Sequence, residues 1–96
     1  MRLAELLTAI IPEAIAGTVD VEIAAIAYDS RHVQAGSLFC ALRGSSVDGH
    51  RFIPQSLAAG AVALLVEDVA AAPAGVPCIT VTDTRLAMAR LAAFFY

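Results

Sequence analysis

The sequence predicts an α/β domain, a small mixed sheet flanked by helices. Apolar runs of strand length alternate with segments of helical periodicity, which is typical of a sheet covered by helices. The length of 96 residues suits one small domain. Two of the runs, residues 38–42 and 61–66, contain no charged side chain, as expected of strands buried on both faces.

Three helices are predicted. The first is an amphipathic helix ended by Pro12, because its apolar residues recur at helical spacing: Leu3, Leu6, Leu7, Ile10 and Ile11. The second begins with Pro54 in its first turn and ends near Ala59, followed by Gly60. The third begins after Asp83 as N-cap and points the following residues inward: Ala87, Met88, Leu91, Phe94 and Phe95.

Four strands are predicted, at Val21–Tyr28, Leu38–Leu42, Ala61–Val66 and Cys78–Val81. Residues 67–77 are rich in Ala, Pro and Gly and are expected to form a loop. The last two strands are expected to pair in a parallel or mixed arrangement.

The composition is apolar, with 59% hydrophobic and 16% charged residues. A membrane span needs about 20 consecutive apolar residues, and the longest apolar stretch, residues 57–66, is closed by Glu67 and Asp68. No span is therefore expected, and Glu5 interrupts any signal-peptide pattern. The apolar surplus leaves two interpretations open: a surface that is normally covered, or simply a high alanine content.

Several function classes are disfavoured. The net charge is -3 and the basic residues, all arginines, are scattered, which argues against nucleic acid. The sequence contains no lysine and no glycine-rich phosphate loop, so it cannot hold ATP as P-loop proteins do. Cys40 and Cys78 stand alone and are expected to be buried free thiols. No catalytic triad or metal-ligand spacing is recognised, so neither a catalytic nor a metal residue is predicted.

Two polar loops, Tyr28–Arg31 and Gly44–His50, follow apolar strands. Ligands of α/β proteins bind beyond the carboxyl ends of strands. Hydroxyl groups, exposed amides and an aromatic ring suit a nucleobase, and Arg31 or Arg51 could neutralise a phosphate. On the residues alone a purely structural interpretation stays open, in which Asp29 and Asp48 hold tight turns and His50 packs over the next helix.

An ordered motif series runs through these loops: Asp29-Ser30-Arg31, Gly36-Ser37-Leu38-Phe39, Ala41, Gly44, Asp48-Gly49-His50, Phe52-Ile53 and Gly60-Ala61. The series resembles the N-terminal, UDP-binding domain of the Mur ligases, and it is most similar to the MurE branch, the UDP-N-acetylmuramoyl-L-alanyl-D-glutamate ligases of peptidoglycan biosynthesis. The resemblance covers nearly the whole chain. Two alternatives stay open: the equivalent domain of MurF, which adds D-alanyl-D-alanine, and a non-catalytic interaction module of the same fold.

The resemblance implies a role for the loop residues. Tyr28 and Ser30 fall where the family contacts the uridine. Three residues, Ser45, Ser46 and Val47, fall in a second UDP-binding loop by position rather than by identity. Other motif residues are expected to shape the loops or act secondarily: Asp29, Arg31, Asp48, Gly49 and His50.

The resemblance also implies a larger, cytoplasmic enzyme. In the family, ATP phosphorylates the substrate carboxylate, a diamino acid attacks the acyl phosphate, and magnesium offsets the phosphate charge. Those steps belong to central ATP-binding and C-terminal domains absent from this chain, and the C-terminal domain selects the diamino acid. Residues 1–96 are thus expected to be one docking domain without a cofactor of its own. Its expected partners are UDP-N-acetylmuramoyl-dipeptide and the remaining domains of its own chain, with no nucleic acid and no membrane.

Overall fold

A five-stranded mixed sheet forms the centre of the computed structural model, which describes residues 1–44 and 47–96. The strands are β1 Ala14–Ala16, β2 Ala25–Ala27, β3 Ser37–Cys40, β4 Ala63–Val66 and β5 Cys78–Thr80. Their order is β1-β5-β4-β3-β2. Strand β1 is antiparallel to β5, and all other neighbours are parallel. The predicted fold class, a small mixed α/β sheet, is confirmed.

Helices cover both faces of the sheet. The helices are α1 Leu3–Leu6, which continues as a 3-10 turn over Leu7–Ala9, α2 Ile53–Ala58 and α3 Thr84–Phe95. Further 3-10 turns lie at Ser30–His32, Gly49–Phe52 and Val69–Ala71. Residues of α1 and α3 pack together on one face, and α2 packs on the other.

The two faces share the central strands residue by residue. Leu38 and Leu65 belong to the core under α1 and α3, whereas their neighbours Phe39 and Leu64 belong to the core under α2. Successive side chains of a strand point to opposite faces, so β3 and β4 contribute to two cores at once. Every residue of both strands is buried, as the continuous apolar runs predicted.

The two cysteines are buried free thiols, as predicted. Cys40 belongs to the core under α1 and α3, and Cys78 belongs to the core under α2. Burial disfavours the thiolate, which raises the pKa of Cys40 to about 12 and also raises the pKa of Cys78. Neither thiol is therefore suited to act as a nucleophile.

The strand predictions were wrong in two places. The regular part of the strand predicted over 21–28 is only Ala25–Ala27. Strand β1 was missed altogether, because its three residues are all exposed and give no alternating pattern. It is held at the sheet edge by backbone pairing to β5, with Ile15 opposite Ile79, and such pairing leaves no signal in an alanine-rich sequence.

Two side chains predicted to point inward are exposed. The helical turns at the N-terminus end at Ala9 and Ile10 is extended, so the helical phase is lost before Ile11, which is 93% exposed. On α3, the buried stripe contains Ala87 and Leu91, and Phe94 lies beside it at 46% exposure.

The predicted boundaries of α2 and α3 agree with the structure. Asp83 caps α3, where its carboxylate accepts a hydrogen bond from the Leu86 N–H, and Pro54 lies in the first turn of α2. Gly60 ends α2 with φ of +117°, and a Cβ there would come within 2.8 Å of the Ala35 Cα atom. Across the described residues, no helix has the length and apolar character needed to cross a bilayer.

Candidate functional site: a cleft between two loops

An open cleft of about 540 Å³ lies beyond the carboxyl ends of β2 and β3. Both polar loops border it, at the end of the sheet where ligands of α/β proteins bind, because β2 and β3 are adjacent and parallel. Its lining residues come from the two loops, the 3-10 turn before α2, α2 itself and the start of α3: Tyr28, Asp29, Ser30, Arg31, Leu42, Gly44, Val47, Gly49, Phe52, Gln55 and Arg85.

The first loop is a self-contained turn. The Asp29 Oδ1 atom accepts hydrogen bonds from the Arg31 backbone N–H at 2.9 Å and from its Nε at 3.0 Å, and Oδ2 accepts from Nη2 at 2.7 Å. These bonds from Arg31 hold the pKa of the Asp29 carboxyl well below its usual range. Tyr28 precedes the turn and is 62% exposed, so its ring is available at the mouth of the cleft.

The second loop is closed by its backbone. The Gly44 N–H donates to the Val47 carbonyl at 2.8 Å, and the Gly49 N–H donates to the Leu42 carbonyl at 2.7 Å. A Cβ at Gly49 would lie only 2.6 Å from the Leu42 oxygen, which is closer than side chains pack. The glycine of the Asp48-Gly49-His50 motif is thus required by the close approach of two backbone segments.

His50 supports this loop from behind. Its Nδ1 lies 2.6 Å from Asp48 Oδ1, and its Nε2 accepts hydrogen bonds from the Glu67 and Asp68 backbone N–H groups at 3.1 and 3.3 Å. An Nε2 that accepts twice carries no proton, so Nδ1 holds the proton and donates it to Asp48. The backbone N–H of His50, followed by its side chain, lowers the pKa of Asp48.

A second buried link joins β4 to α3. Thr84, 1% exposed, donates from its backbone N–H and from its hydroxyl to Glu67 Oε2, both at 2.9 Å. Glu67 also lies 3.8 Å from the Arg43 Nε, and Arg43 lies 3.8 Å from Asp48. The sequence did not predict this link, because its partners lie 17 residues apart and match no local motif.

The structure brings together most of the predicted site residues. Tyr28, Ser30 and Val47 line the cleft, and so do three of the residues expected to shape the loops, Asp29, Arg31 and Gly49. Asp48 and His50 are not lining residues. Their hydrogen bonds hold the loop from behind, and His50 contacts the backbone after β4. Ser45 and Ser46 lie outside the described residues.

Five lining residues were not predicted as site residues: Leu42, Gly44, Phe52, Gln55 and Arg85. Gln55 and Arg85 each lie in the first turn of a helix, where the sequence shows an ordinary polar position. Only the packing of α2 and α3 against the sheet brings them to the cleft.

The residues present do not fit a metal or a P-loop nucleotide. In residues 1–44 and 47–96, no three side chains of His, Cys, Asp or Glu come together as metal ligands. The chain has no lysine to pair with a terminal phosphate. The cleft offers instead an aromatic ring, hydroxyl and amide groups, and two arginines, which are groups that can bind a polar small molecule.

Known proteins similar to this chain fall into one family. The family model described as "Mur ligase family, catalytic domain" matches residues 22–96. The UDP-N-acetylmuramoyl-L-alanyl-D-glutamate--2,6-diaminopimelate ligase of Geobacter sulfurreducens is 47% identical over 96 residues, which are 100% of this chain and 19% of that protein. The UDP-N-acetylmuramyl-tripeptide synthetase of a Roseiflexus species is 46% identical over 97 residues, again covering 100% and 19%.

The solved structures agree with this grouping. A crystal structure of MurF from Acinetobacter baumannii superposes with a TM-score of 0.74 at 33% identity, over 97% of this chain and 20% of that one. The chain therefore spans about a fifth of the length of its relatives. Sequence and fold together show that this chain belongs to the Mur ligase family and corresponds to its N-terminal domain.

Proposed function

We propose that this domain binds the UDP end of UDP-N-acetylmuramoyl-L-alanyl-D-glutamate in a MurE-type ligase of peptidoglycan biosynthesis. The observation that carries the proposal is the cleft at which both motif loops meet, beyond the carboxyl ends of two parallel strands. Its volume of about 540 Å³ is that of a small-molecule site. The nucleotide end of the ligand suits such a cleft better than the whole nucleotide-sugar peptide.

The uridine would be held by the two loops. The exposed ring of Tyr28 offers a face on which a nucleobase can stack. The hydroxyl of Ser30 can both donate and accept, as the polar edge of uracil requires. Val47 contributes an apolar contact from the second loop. Ser45 and Ser46 belong to the same proposal by their position in that loop.

The remaining motif residues would keep the loops in their binding conformation. The Asp29–Arg31 and Asp48–His50 hydrogen bonds each join two residues of the same loop. A loop ordered in advance does not lose conformational entropy on binding, which favours affinity. Asp48, Gly49 and His50 would therefore support binding without touching the nucleotide.

The relatives support MurE over MurF. Relatives named as diaminopimelate-adding ligases or as a tripeptide synthetase reach 46–47% identity over the whole chain, whereas the MurF of Acinetobacter baumannii reaches 33%. A MurF-type docking domain is the second candidate, since the fold matches MurF and both ligands share the UDP end. The gene beyond Tyr96 separates the two: a MurE-like continuation supports the proposal, and a MurF-like continuation or a stop codon overturns it.

The full enzyme would be a cytoplasmic, ATP-dependent ligase that joins a diamino acid to the UDP-linked dipeptide. By resemblance to the family, ATP and magnesium would be bound by the central and C-terminal domains. No step of that reaction is assigned to this domain. Its contribution would be to hold the substrate so that its distal carboxylate reaches the other domains.

Titration of the 15N-labelled chain with UDP-N-acetylmuramoyl-dipeptide, followed by NMR, tests the proposal. Saturable amide shifts at Ser30, Val47 and Gly49 are expected, and ADP at equal concentration should produce weaker ones. Tyr28→Ala should weaken binding, whereas Tyr96→Ala, at another exposed tyrosine that does not line the cleft, should not. Shifts confined to other regions, or equal responses to UDP and ADP, would contradict the assignment.

A further inference from the structure

The start of α3 brings a guanidinium group to the cleft that neither motif loop supplies. Arg85 is exposed, lies in the first turn of α3 and lines the cleft. Across residues 1–44 and 47–96, no carboxylate oxygen lies within 4.0 Å of its guanidinium nitrogens. Its charge is therefore not neutralised by a neighbouring side chain.

The other arginine of the cleft is already engaged. Arg31 donates hydrogen bonds from Nε and Nη2 to the two carboxylate oxygens of Asp29. An arginine binds phosphate through the same kind of donor pair, so these two donors are already engaged. One carboxylate, Asp29, and two guanidinium groups, Arg31 and Arg85, line the cleft, so its lining carries a net charge of +1. The whole chain carries -3, so the cleft is a local positive site on an acidic protein.

Two backbone amides at the start of α3 are already engaged. Free N–H groups at a helix N-terminus can bind phosphate. Here the Thr84 N–H donates to Glu67 and the Leu86 N–H donates to Asp83, both within 3.0 Å. With these two amides occupied by carboxylates, the Arg85 side chain is the charged donor that α3 offers to the cleft.

The neighbouring residue fixes the position of Arg85. Thr84 is buried and is held by two hydrogen bonds to Glu67, at the end of β4. The first turn of α3 is thus anchored to the sheet, and Arg85 extends from an anchored backbone. Little backbone entropy would be lost when it binds a ligand.

We propose that Arg85 binds the diphosphate of the ligand and so sets the preference of the cleft for a nucleotide over a nucleoside. The inference rests on the proposed function, since it names a residue that acts on the same ligand. The arginine donates two parallel N–H bonds to phosphate oxygens, a geometry that lysine cannot reproduce.

Affinities of five chains, the wild type and four variants, for uridine, UMP and UDP, measured by NMR titration, test this role. For Arg85→Gln, an increase of about fivefold to tenfold in the Kd of UDP is expected, with uridine unchanged, because the lost bonds are charge-assisted but solvent-exposed. Arg85→Lys should lie between wild type and Arg85→Gln. Rising salt should weaken UDP binding of wild type more than that of Arg85→Gln.

Arg90→Gln is the matched control. It removes the same charge from the exposed face of the same helix, but Arg90 borders a different groove beside Ile10 and Asp83. Its UDP affinity should stay within about twofold of wild type, since screening at physiological salt suppresses distant charges. The Arg31→Gln variant should affect UDP less than Arg85→Gln, because its guanidinium is bound to Asp29.

The outcomes separate the two proposals. Suppose that the wild type binds UDP with shifts at Ser30 and Val47. If Arg85→Gln then binds UDP equally well, or if its affinity for uridine falls as much as its affinity for UDP, the role of Arg85 is overturned. The docking function would stand in either case. If Arg90→Gln weakens UDP as much as Arg85→Gln, the effect is one of net charge and the assignment is also overturned. If wild type binds neither UDP nor the UDP-sugar, both proposals fail.

Discussion

The two loops of the cleft contain the same local turn but are joined to the rest of the molecule differently. Asp29 accepts a hydrogen bond from the backbone N–H of Arg31, and Asp48 accepts one from His50, each two residues later. The first turn is completed by its own arginine. The second is completed by a histidine that also accepts from two amides beyond β4.

This difference predicts that the two loops are coupled to the core with different strength. The first loop can adjust its side chains without disturbing the core, since the guanidinium of Arg31 is 83% exposed. The second loop cannot move without disturbing the end of β4, because the 8% exposed His50 connects them. We infer that stability depends on the second loop far more than on the first, although both border the same cleft.

His50→Ala should produce the largest loss of stability. It removes the acceptor of the Glu67 and Asp68 amides and the donor to Asp48, and partners left without hydrogen bonds cost about 2–3 kcal/mol in total. Urea unfolding of the chain measures the change. His32→Ala is the control, because His32 follows the first turn and its side chain is 80% exposed. Equal effects of the two substitutions would contradict the comparison.

The residue that follows each aspartate gives the next test. Gly49→Ser should cost about 2 kcal/mol, since a Cβ at this position would lie 2.6 Å from the Leu42 carbonyl and the backbone must shift. Ser30→Gly, the reverse change in the first loop, should cost at most about 1 kcal/mol from added chain entropy. Thermal unfolding of both variants measures the two losses of stability. A larger loss for Ser30→Gly than for Gly49→Ser would contradict the comparison.

Low pH should destabilise both turns, because the pKa values of Asp29 and Asp48 are lowered in the folded chain. The folded pKa of Asp48 lies below the ordinary value of 3.8, so its stabilisation is present above that pH and is lost as pH falls through the folded pKa. Between pH 5 and pH 3, Asp48→Asn should therefore lose less unfolding free energy than wild type. An unchanged slope in the variant would show that Asp48 does not contribute to the acid sensitivity.

Arg31→Gln should have the smallest effect on stability. Exposed ion pairs contribute little to stability, and the backbone bond from residue 31 to Asp29 would remain. Urea unfolding at low and high salt measures it, and the small difference from wild type should shrink further at high salt. A loss comparable to that of His50→Ala would mean that the first loop is as strongly coupled to the core as the second.

The sequence predicted the sheet, its central strands and the two polar loops, because apolar runs and turn residues are local signals. Strand β1 escaped prediction because edge pairing of exposed residues leaves no pattern. Arg85 and Glu67 escaped because their roles depend on contacts between distant segments.

The hydrogen bond that an aspartate accepts from the backbone N–H two residues later does not by itself identify a turn of the cleft. Asp68 forms the same hydrogen bond, to the Ala70 N–H, away from the cleft. An Asp at the start of a 3-10 turn is therefore a structural signal in this chain. Asp68 follows the central strand β4, so a position after a strand does not distinguish it either, and only the motif series distinguishes the turns that border the cleft.

Intermolecular NOEs in the chain saturated with UDP test the central claim most directly. The account predicts contacts from the uridine H5 and H6 protons to the Tyr28 ring and to the Val47 methyl groups, one in each loop. NOEs from these protons to residues outside the cleft, such as Leu86 or Ile11, with none to Tyr28 and Val47, would contradict it.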